Sequence, residues 1–326
     1  MKNFSNKRAF TLIEVLAATG IMTVVILVVL TMTTNVVSVW NKSAGKLSSN
    51  FEGRVALKSM EADLQSLVLR SRPAVNWLQI QWERPNTGSG PTVPYSFPTI
   101  YMVTRAMDRP QYRSTGETIT GRTNTVVYKL AYQNPITGST NNTAFPAPMF
   151  ALYRFVIDAE NTFRFVTNSV SNGDFQAAVA GTHLSTTVGG SRFVNEDGVE
   201  IDIGNLDESV LTRENFLSAN VVDFEVTIFF RDNAGNLQEI NPAKTSPNGT
   251  TNFLIGSTST GDFALVNNGR PEPNARVEFI DVTLSVLSEE GVGVVTNDPS
   301  VDWDDLLAQY STTFTRRINV MANMPQ

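Results

Sequence analysis

Between Phe10 and Asn41 the chain reads FTLIEVLAATGIMTVVILVVLTMTTNVVSVWN, an apolar run with a single charge, Glu14. A helix needs about 20 such residues to cross a bilayer core, and this run exceeds that. Val, Ile and Thr fill its second half. They are mediocre helix formers in water, but in lipid an unpaired backbone is costly enough to enforce the helix. Beyond Asn41 the pattern changes. Leu47, Phe51, Val55, Met60, Leu64 and Leu67 or Val68 recur at three- to five-residue spacing, which predicts an amphipathic continuation. Lys46, Glu52, Arg54, Lys58, Glu61 and Asp63 fall on other faces. Gly45 and Gly53 weaken the helix locally, by ~1 kcal/mol each relative to alanine. Pro73 should end the pattern, because the residue before a proline avoids helical angles. The expectation is one helix from about Phe10 to Ser71, in lipid first and then against a head.

After Pro73 the period becomes two. Leu78, Ile80 and Trp82 alternate with Gln79 and Gln81, which predicts a half-buried strand. Ile100, Met102 and Thr104 make a weaker one, and Val126, Tyr128, Leu130 and Tyr132 a strong one. Leu152–Val156 and Phe163–Val166 read as a hairpin turning at Asp158–Asn161. Val221–Arg231 and Leu237–Ile240 read as another, turning through Asn233-Ala234-Gly235-Asn236. Val277–Leu287 and Phe314–Val320 complete the strands. Asp302–Gln309 reads as a short helix capped by Ser300 or Asp302. Long connections rich in Pro, Gly, Asn, Ser and Thr are expected over 84–98, 133–148, 241–261 and 267–274.

Composition narrows the chemistry. Thr and Asn make up about a fifth of the 326 residues, a content of exposed strands and loops. The chain has no cysteine and one histidine, His183. Disulfides and thiolate chemistry are excluded, and there is no second imidazole for a zinc site. His183 lies among hydroxyls without a G-x-S-x-G turn, so a surface histidine is the simpler reading. The formal charge of −6 disfavours a broad nucleic-acid surface, with Arg105, Arg109 and Arg113 as the one local basic patch. Three acidic groups invite calcium: Asp232, Asn233, Asn236 and Glu239; Asn195, Glu196, Asp197, Glu200 and Asp202; and Asp298, Asp302, Asp304 and Asp305. None has EF-hand spacing, and turns and caps explain each. Trp40, Trp77, Trp82 and Trp303 read as core or membrane-interface residues. No cofactor is expected.

The N-terminus decides the class. MKNFSNKRA carries Lys2, Lys7 and Arg8 and no acid, so it should stay cytoplasmic with the bulk of the chain outside. A secretory signal would have an apolar stretch of only ~7–15 residues. A plain anchor leaves an acid near the start of the span unexplained. The residues KRAFTLIEV resemble the prepilin cleavage and methylation motif of type IV pilins and type II secretion pseudopilins. In that family a small residue, normally glycine, precedes the cut, a phenylalanine opens the mature chain, and its fifth residue is an acid. Here Ala9 and Phe10 would flank the cut, Phe10 would be N-methylated, and Glu14 would be the acid that offsets a neighbouring subunit's N-terminal amine during filament assembly. The chain departs from the pattern with Ala9 in place of glycine and with no proline in the Phe10–Trp40 helix. Loss of the leader's three cations would take the formal charge from −6 to −9.

The resemblance implies an α+β, pilin-like fold: a long N-terminal helix packed on an antiparallel β-sheet head with long loop insertions. It divides the chain into a basic leader (1–9), a transmembrane and assembly helix (10–41), an amphipathic continuation (42–72) and a β-rich extracytoplasmic head (73–326). FEGRVALKSMEADLQS and the spacing of the later strands resemble J-type minor pseudopilins more loosely, and the Verru_Chthon cassette pilin-like proteins more loosely still. The role implied is structural, not enzymatic: a minor subunit of a type II secretion or type IV pilus-like filament. Its partners would be a prepilin peptidase, other pilin or pseudopilin subunits and an inner-membrane assembly platform. The chain would cross the bacterial inner membrane once, with its head in the periplasm or at the cell surface. The alternative from the long loops and Thr/Asn content is an adhesin or glycan-binding head on a pilin-type stalk.

Overall fold

The computed structural model describes residues 11–68, 76–105, 123–136, 148–162, 193–194, 200–201, 215–241, 252–257, 263–267, 270–273 and 276–320, apart from 86, 89, 158, 160, 161, 233 and 299. Two compact units emerge, Met1–Leu47 and Ser48–Gln326. Helix α1 (Leu12–Gln65) runs through both.

In the first unit the apolar side chains of α1 are exposed throughout, from Leu12 at 84% to Trp40 at 74%. The helix is long and apolar enough to cross a membrane. Its threonines fit that environment. The hydroxyls of Thr19, Thr23, Thr31, Thr33 and Thr34 donate to the carbonyls of Leu16, Thr19, Leu27, Val29 and Thr31 at 2.8–3.0 Å. A polar side chain that bonds back to its own helix presents no orphan donor to lipid.

The head is built from strands β1 (Asn76–Glu83), β2 (Phe97–Thr104), β3 (Asn124–Gln133), β4 (Met149–Ile157), β5 (Phe193–Val194), β6 (Glu200–Ile201), β7 (Phe216–Ala219), β8 (Val221–Arg231), β9 (Leu237–Ile240), β10 (Asn252–Ser257), β11 (Phe263–Asn267), β12 (Arg270–Pro273), β13 (Arg276–Leu287) and β14 (Ser311–Asn319). Helices α2 (Glu289–Asn297) and α3 (Trp303–Tyr310) lie between the last two strands. An eight-stranded antiparallel sheet has the order β12-β11-β10-β1-β2-β3-β4-β7, and a four-stranded one the order β14-β13-β8-β9. The chain passes from one sheet to the other at Asn220, whose φ of 56° is left-handed. Asparagine tolerates that conformation better than most residues. The expected β8–β9 hairpin forms, with Gly235 at φ 83° and the Asp232 carboxylate accepting from the Ala234 and Asn236 N–H groups.

One face of each sheet and one face of α1 share a core. Ala56, Leu57, Met60 and Leu64 pack with Ile80, Ile100, Tyr128 and Leu152 of the larger sheet and with Phe224, Val282 and Leu284 of the smaller. Gly53 lets the helix approach closely, since a Cβ there would lie 2.9 Å from the Phe314 ring. The other face of the larger sheet is buried too, through Trp77, Tyr101, Val127, Tyr153 and Phe155.

Several expectations are corrected. The helix ends at Gln65, not near Ser71. Leu67 bridges Thr104, the Val68 N–H donates to the Val103 carbonyl at 2.8 Å, and the Arg105 N–H donates to the Ser66 carbonyl. Sheet bonding therefore captures the chain before Pro73 can act. The apolar stripe also divides. Phe51 is 69% exposed and Val55 39%, while Met60 and Leu64 are buried. The cause is angular: five residues from Val55 to Met60 turn the helix by ~140° beyond a full circle. β1 is buried on both faces rather than half-buried, with Gln79 and Gln81 each 1% exposed. β4 pairs with β3 and β7, and its expected partner at 163–166 lies outside the described residues. The expected connections at 241–261 and 267–274 contain β10 and β12. α2, capped by Ser288, was not expected.

Asp63, expected on a polar face, is 2% exposed and sits in the head. Arg154 of β4 grips its carboxylate with two bonds, Nε to Oδ2 at 2.7 Å and a terminal guanidinium nitrogen to Oδ1 at 3.0 Å. The Tyr128 hydroxyl donates to Oδ2 at 2.6 Å. Burial, then the Asp63 charge and that hydrogen bond, push the Tyr128 phenol well above its ordinary 10.0. Because the folded value is raised, this contribution to stability is full below pH 10 and is lost as pH rises beyond it.

Removing one partner of a buried ion pair leaves the other uncompensated, at ~3–5 kcal/mol. Asp63→Ala and Arg154→Met in the full chain should each lower stability by that order in urea unfolding, and Asp63→Leu with Arg154→Met should restore much of it. Tyr128→Phe should flatten the alkaline loss of stability above pH 10, measured the same way.

Candidate assembly site at the start of the helix

The acid in the apolar run is part of a local structure. Thr11 precedes the first helical residue, and its hydroxyl oxygen accepts from the Glu14 N–H at 3.4 Å. The Glu14 carboxylate reaches back through Oε2, accepting from the Thr11 N–H at 2.9 Å and the Thr11 hydroxyl at 3.0 Å. This reciprocal arrangement is a capping box, T-x-x-E, which satisfies N–H groups that a helix start otherwise leaves orphaned. The acid also lies at the positive end of the helix dipole.

Thr11 was missed as a functional residue at the level of sequence, although the spacing in TLIE carries the signal. Both Thr11 bonds fall on Oε2, so among the described residues Oε1 has no hydrogen-bond partner. A carboxylate has acceptor capacity for several donors, and this one can hold its own helix start and receive a further cation. Ala9 and Phe10 lie outside the described residues, so the structure places only Glu14 of the three expected site residues.

The other candidates separate into turns, caps and undescribed positions. Gln238 donates to Asp232 at 3.0 Å, and this bond, with the Asn236 and Ala234 N–H groups, holds the Asp232 carboxyl below its ordinary value. Bonds from the Ser300 hydroxyl and N–H do the same for Asp298. Asp302 caps α3, accepting from the Asp304 and Asp305 N–H groups. Among the described residues no three acidic or imidazole side chains are grouped to hold a metal. Asn195, Glu196, Asp197, Asp202, Asn233, His183, Arg109 and Arg113 lie outside the described residues, and Glu200 falls in β6.

The model of the prokaryotic N-terminal methylation motif matches residues 4–30. That is the prepilin-type motif of type IV pilins and pseudopilins, and it takes in part of the basic N-terminal stretch, the capping box and the apolar run as far as Leu30. The chain is thus similar to pilins over that motif, and its long helix, apolar and long enough to cross a membrane, is followed by antiparallel sheets as in a pilin-like architecture. No curated protein and no solved structure matches the chain.

The cap can be tested apart from any assembly. Loss of a capping bond costs ~1 kcal/mol, so Glu14→Leu should speed hydrogen exchange of the Thr11 amide by about fivefold in bicelles, read by NMR. Glu14→Gln, which keeps an acceptor, should leave it nearly unchanged.

Proposed function

We propose that this chain is a minor pilin-like subunit of a type II secretion or type IV pilus-like filament, with a structural rather than a catalytic role. It enters the inner membrane with residues 1–9 in the cytoplasm and its head in the periplasm or at the cell surface. A prepilin peptidase cuts between Ala9 and Phe10, Phe10 is methylated, and an inner-membrane platform passes the subunit into the filament. The role requires no cofactor. The observation that carries this reading is Glu14: an acid kept at the start of an apolar helix, inside a prepilin-type motif, with one carboxylate oxygen engaged by Thr11. An acid there is costly in lipid unless it has a task. Pairing Oε1 with a neighbour's Phe10 amine gives it one, and the low dielectric strengthens that pair. The size of the head and its long connections favour a minor subunit, because bulky insertions pack poorly in a helical lattice.

The test begins with mass spectrometry of the protein from membranes, which should give an N-terminus at methylated Phe10. A retained Met1 or Lys2 in filament-associated material would overturn the reading. Ala9→Leu should block cleavage. Glu14→Leu should insert and be cut but stay out of filaments, and Glu14→Gln should fail with it although its helix cap survives. A Glu14→Gln chain that assembles at the parental level would show that the cap, not the charge, is what assembly requires. In sheared filaments the chain should be a small fraction of the mass.

A further inference from the structure

The part of α1 that belongs to the head sorts its charges by direction. All three of its acids turn inward: Glu52 accepts from the Ala219 N–H at 3.1 Å, Glu61 pairs with Arg316 at 2.8 Å, and Asp63 pairs with Arg154 at 2.7 Å. Its two cations, Arg54 and Lys58, are exposed, and among the described residues neither has a partner. Phe51 and Val55 are exposed beside them. Positions 51, 54, 55 and 58 follow the i, i+3, i+4, i+7 rule and lie on one helical face. This face is apolar and cationic on a chain whose net charge is negative, and Phe51 is the most exposed large apolar side chain of the described head.

The complement lies elsewhere on the same chain. From Ser288 to Tyr310, through α2 and α3, there are six acids and no Lys or Arg. Glu289, Asp304 and Asp305 are exposed. Beyond its own helix Asp304 meets the neutral Tyr95 hydroxyl. Two pairs of the four-stranded sheet are internal, Arg317 on Asp281 and Arg231 on Glu278. Among the described residues the α2–α3 end thus offers exposed carboxylates, Glu289 and Asp305, with no cation in the same stretch.

We propose that the Phe51–Lys58 face docks on the α2–α3 end of a second copy of this chain. The two surfaces differ, so the contact is heterologous: one copy offers its helix face and the other its acidic end. Charge complementarity sets the register, and burial of Phe51 and Val55 supplies the apolar component. The contact joins heads and does not depend on cleavage at Ala9 or on the pairing of Glu14.

The absence of cysteine makes cross-linking unambiguous. Full-length chains carrying Ala62→Cys and chains carrying Ala308→Cys, both at exposed positions flanking the two surfaces, are reconstituted together in zwitterionic vesicles and oxidised. The mixed disulfide dimer should exceed either like dimer. Arg54→Glu with Lys58→Glu in the first chain should cut the mixed dimer by about tenfold or more, since opposed like charges are strongly unfavourable. Glu289→Lys with Asp305→Lys in the second chain should bring it back. Circular dichroism of each variant confirms that it is folded. Equal yields of mixed and like dimers, or no response to charge reversal, would overturn the proposal. So would loss of the mixed dimer when phosphatidylglycerol vesicles replace the zwitterionic ones, because the face would then belong to anionic headgroups. Failure of N-terminal processing would sink the filament reading and leave this contact standing.

Discussion

The head is organised around one carboxylate. Asp63 sits near the end of α1, is held by two Arg154 bonds and one from Tyr128, and is almost fully buried. A buried ion pair is tolerable only when its geometry is good and its remaining capacity is satisfied, and a bidentate guanidinium with a phenol meets that demand. Because Arg154 and Tyr128 project from adjacent strands β4 and β3, the pair fixes both the rotation of the helix and its height on the sheet. The Asp63 carbonyl adds to this, accepting from Ser66 and Thr104 hydroxyls. At this residue the helix ends and the sheet takes over the backbone. Sliding α1 by one residue would strand Arg154 in the core.

The helix serves two environments with one continuous backbone. Its first part leaves its apolar side chains exposed, as suits a lipid-facing segment, with threonines bonded back to their own turn and Glu14 folded onto Thr11. Its second part has a narrow inward face of Gly53, Ala56, Leu57, Met60 and Leu64, which both sheets cover. Anchoring and docking therefore rest on different residues, and mutations in one region can leave the other intact. What the two regions share is the placement of acids: each is partnered within the chain, and the exposed charge on the head's helix is cationic.

Legibility in the sequence followed the strength of the local signal. The apolar run and the motif at residues 4–30 carry strong local signals, so a helix long and apolar enough to cross a membrane was legible. β3, β8, β13 and α3 were clear as well, because alternation or capping residues mark them. The helix face was misread because Phe51, Val55, Met60 and Leu64 look periodic in a string, while the five-residue step from Val55 to Met60 rotates them apart. Asp63 was placed outside because an acid in a polar series gives no sign that its partner lies 91 residues away at Arg154. β10 and β12 were hidden in stretches whose Asn, Gly and Pro read as loop. Their pairing is tertiary, and β12, with Pro271 and Pro273, lies at the sheet edge, where proline is tolerated. The capping box is legible in TLIE, whose T-x-x-E spacing marks a helix start even inside an apolar run.

The central claim is that α1 is embedded in lipid over its first part and docked on its own head over its second. Single spin labels at successive positions from 12 to 65, placed in the cysteine-free chain and reconstituted in vesicles, test it through accessibility to oxygen and to a water-soluble nickel chelate. The account predicts that positions between Leu12 and Trp40 favour oxygen and exclude the chelate. Beyond Ser48 it predicts a helical period with minima at Ala56, Met60 and Leu64 and chelate access at Phe51, Arg54 and Lys58. Chelate access around Ile21–Leu30, or uniform exposure through Ala56–Leu64, would contradict it.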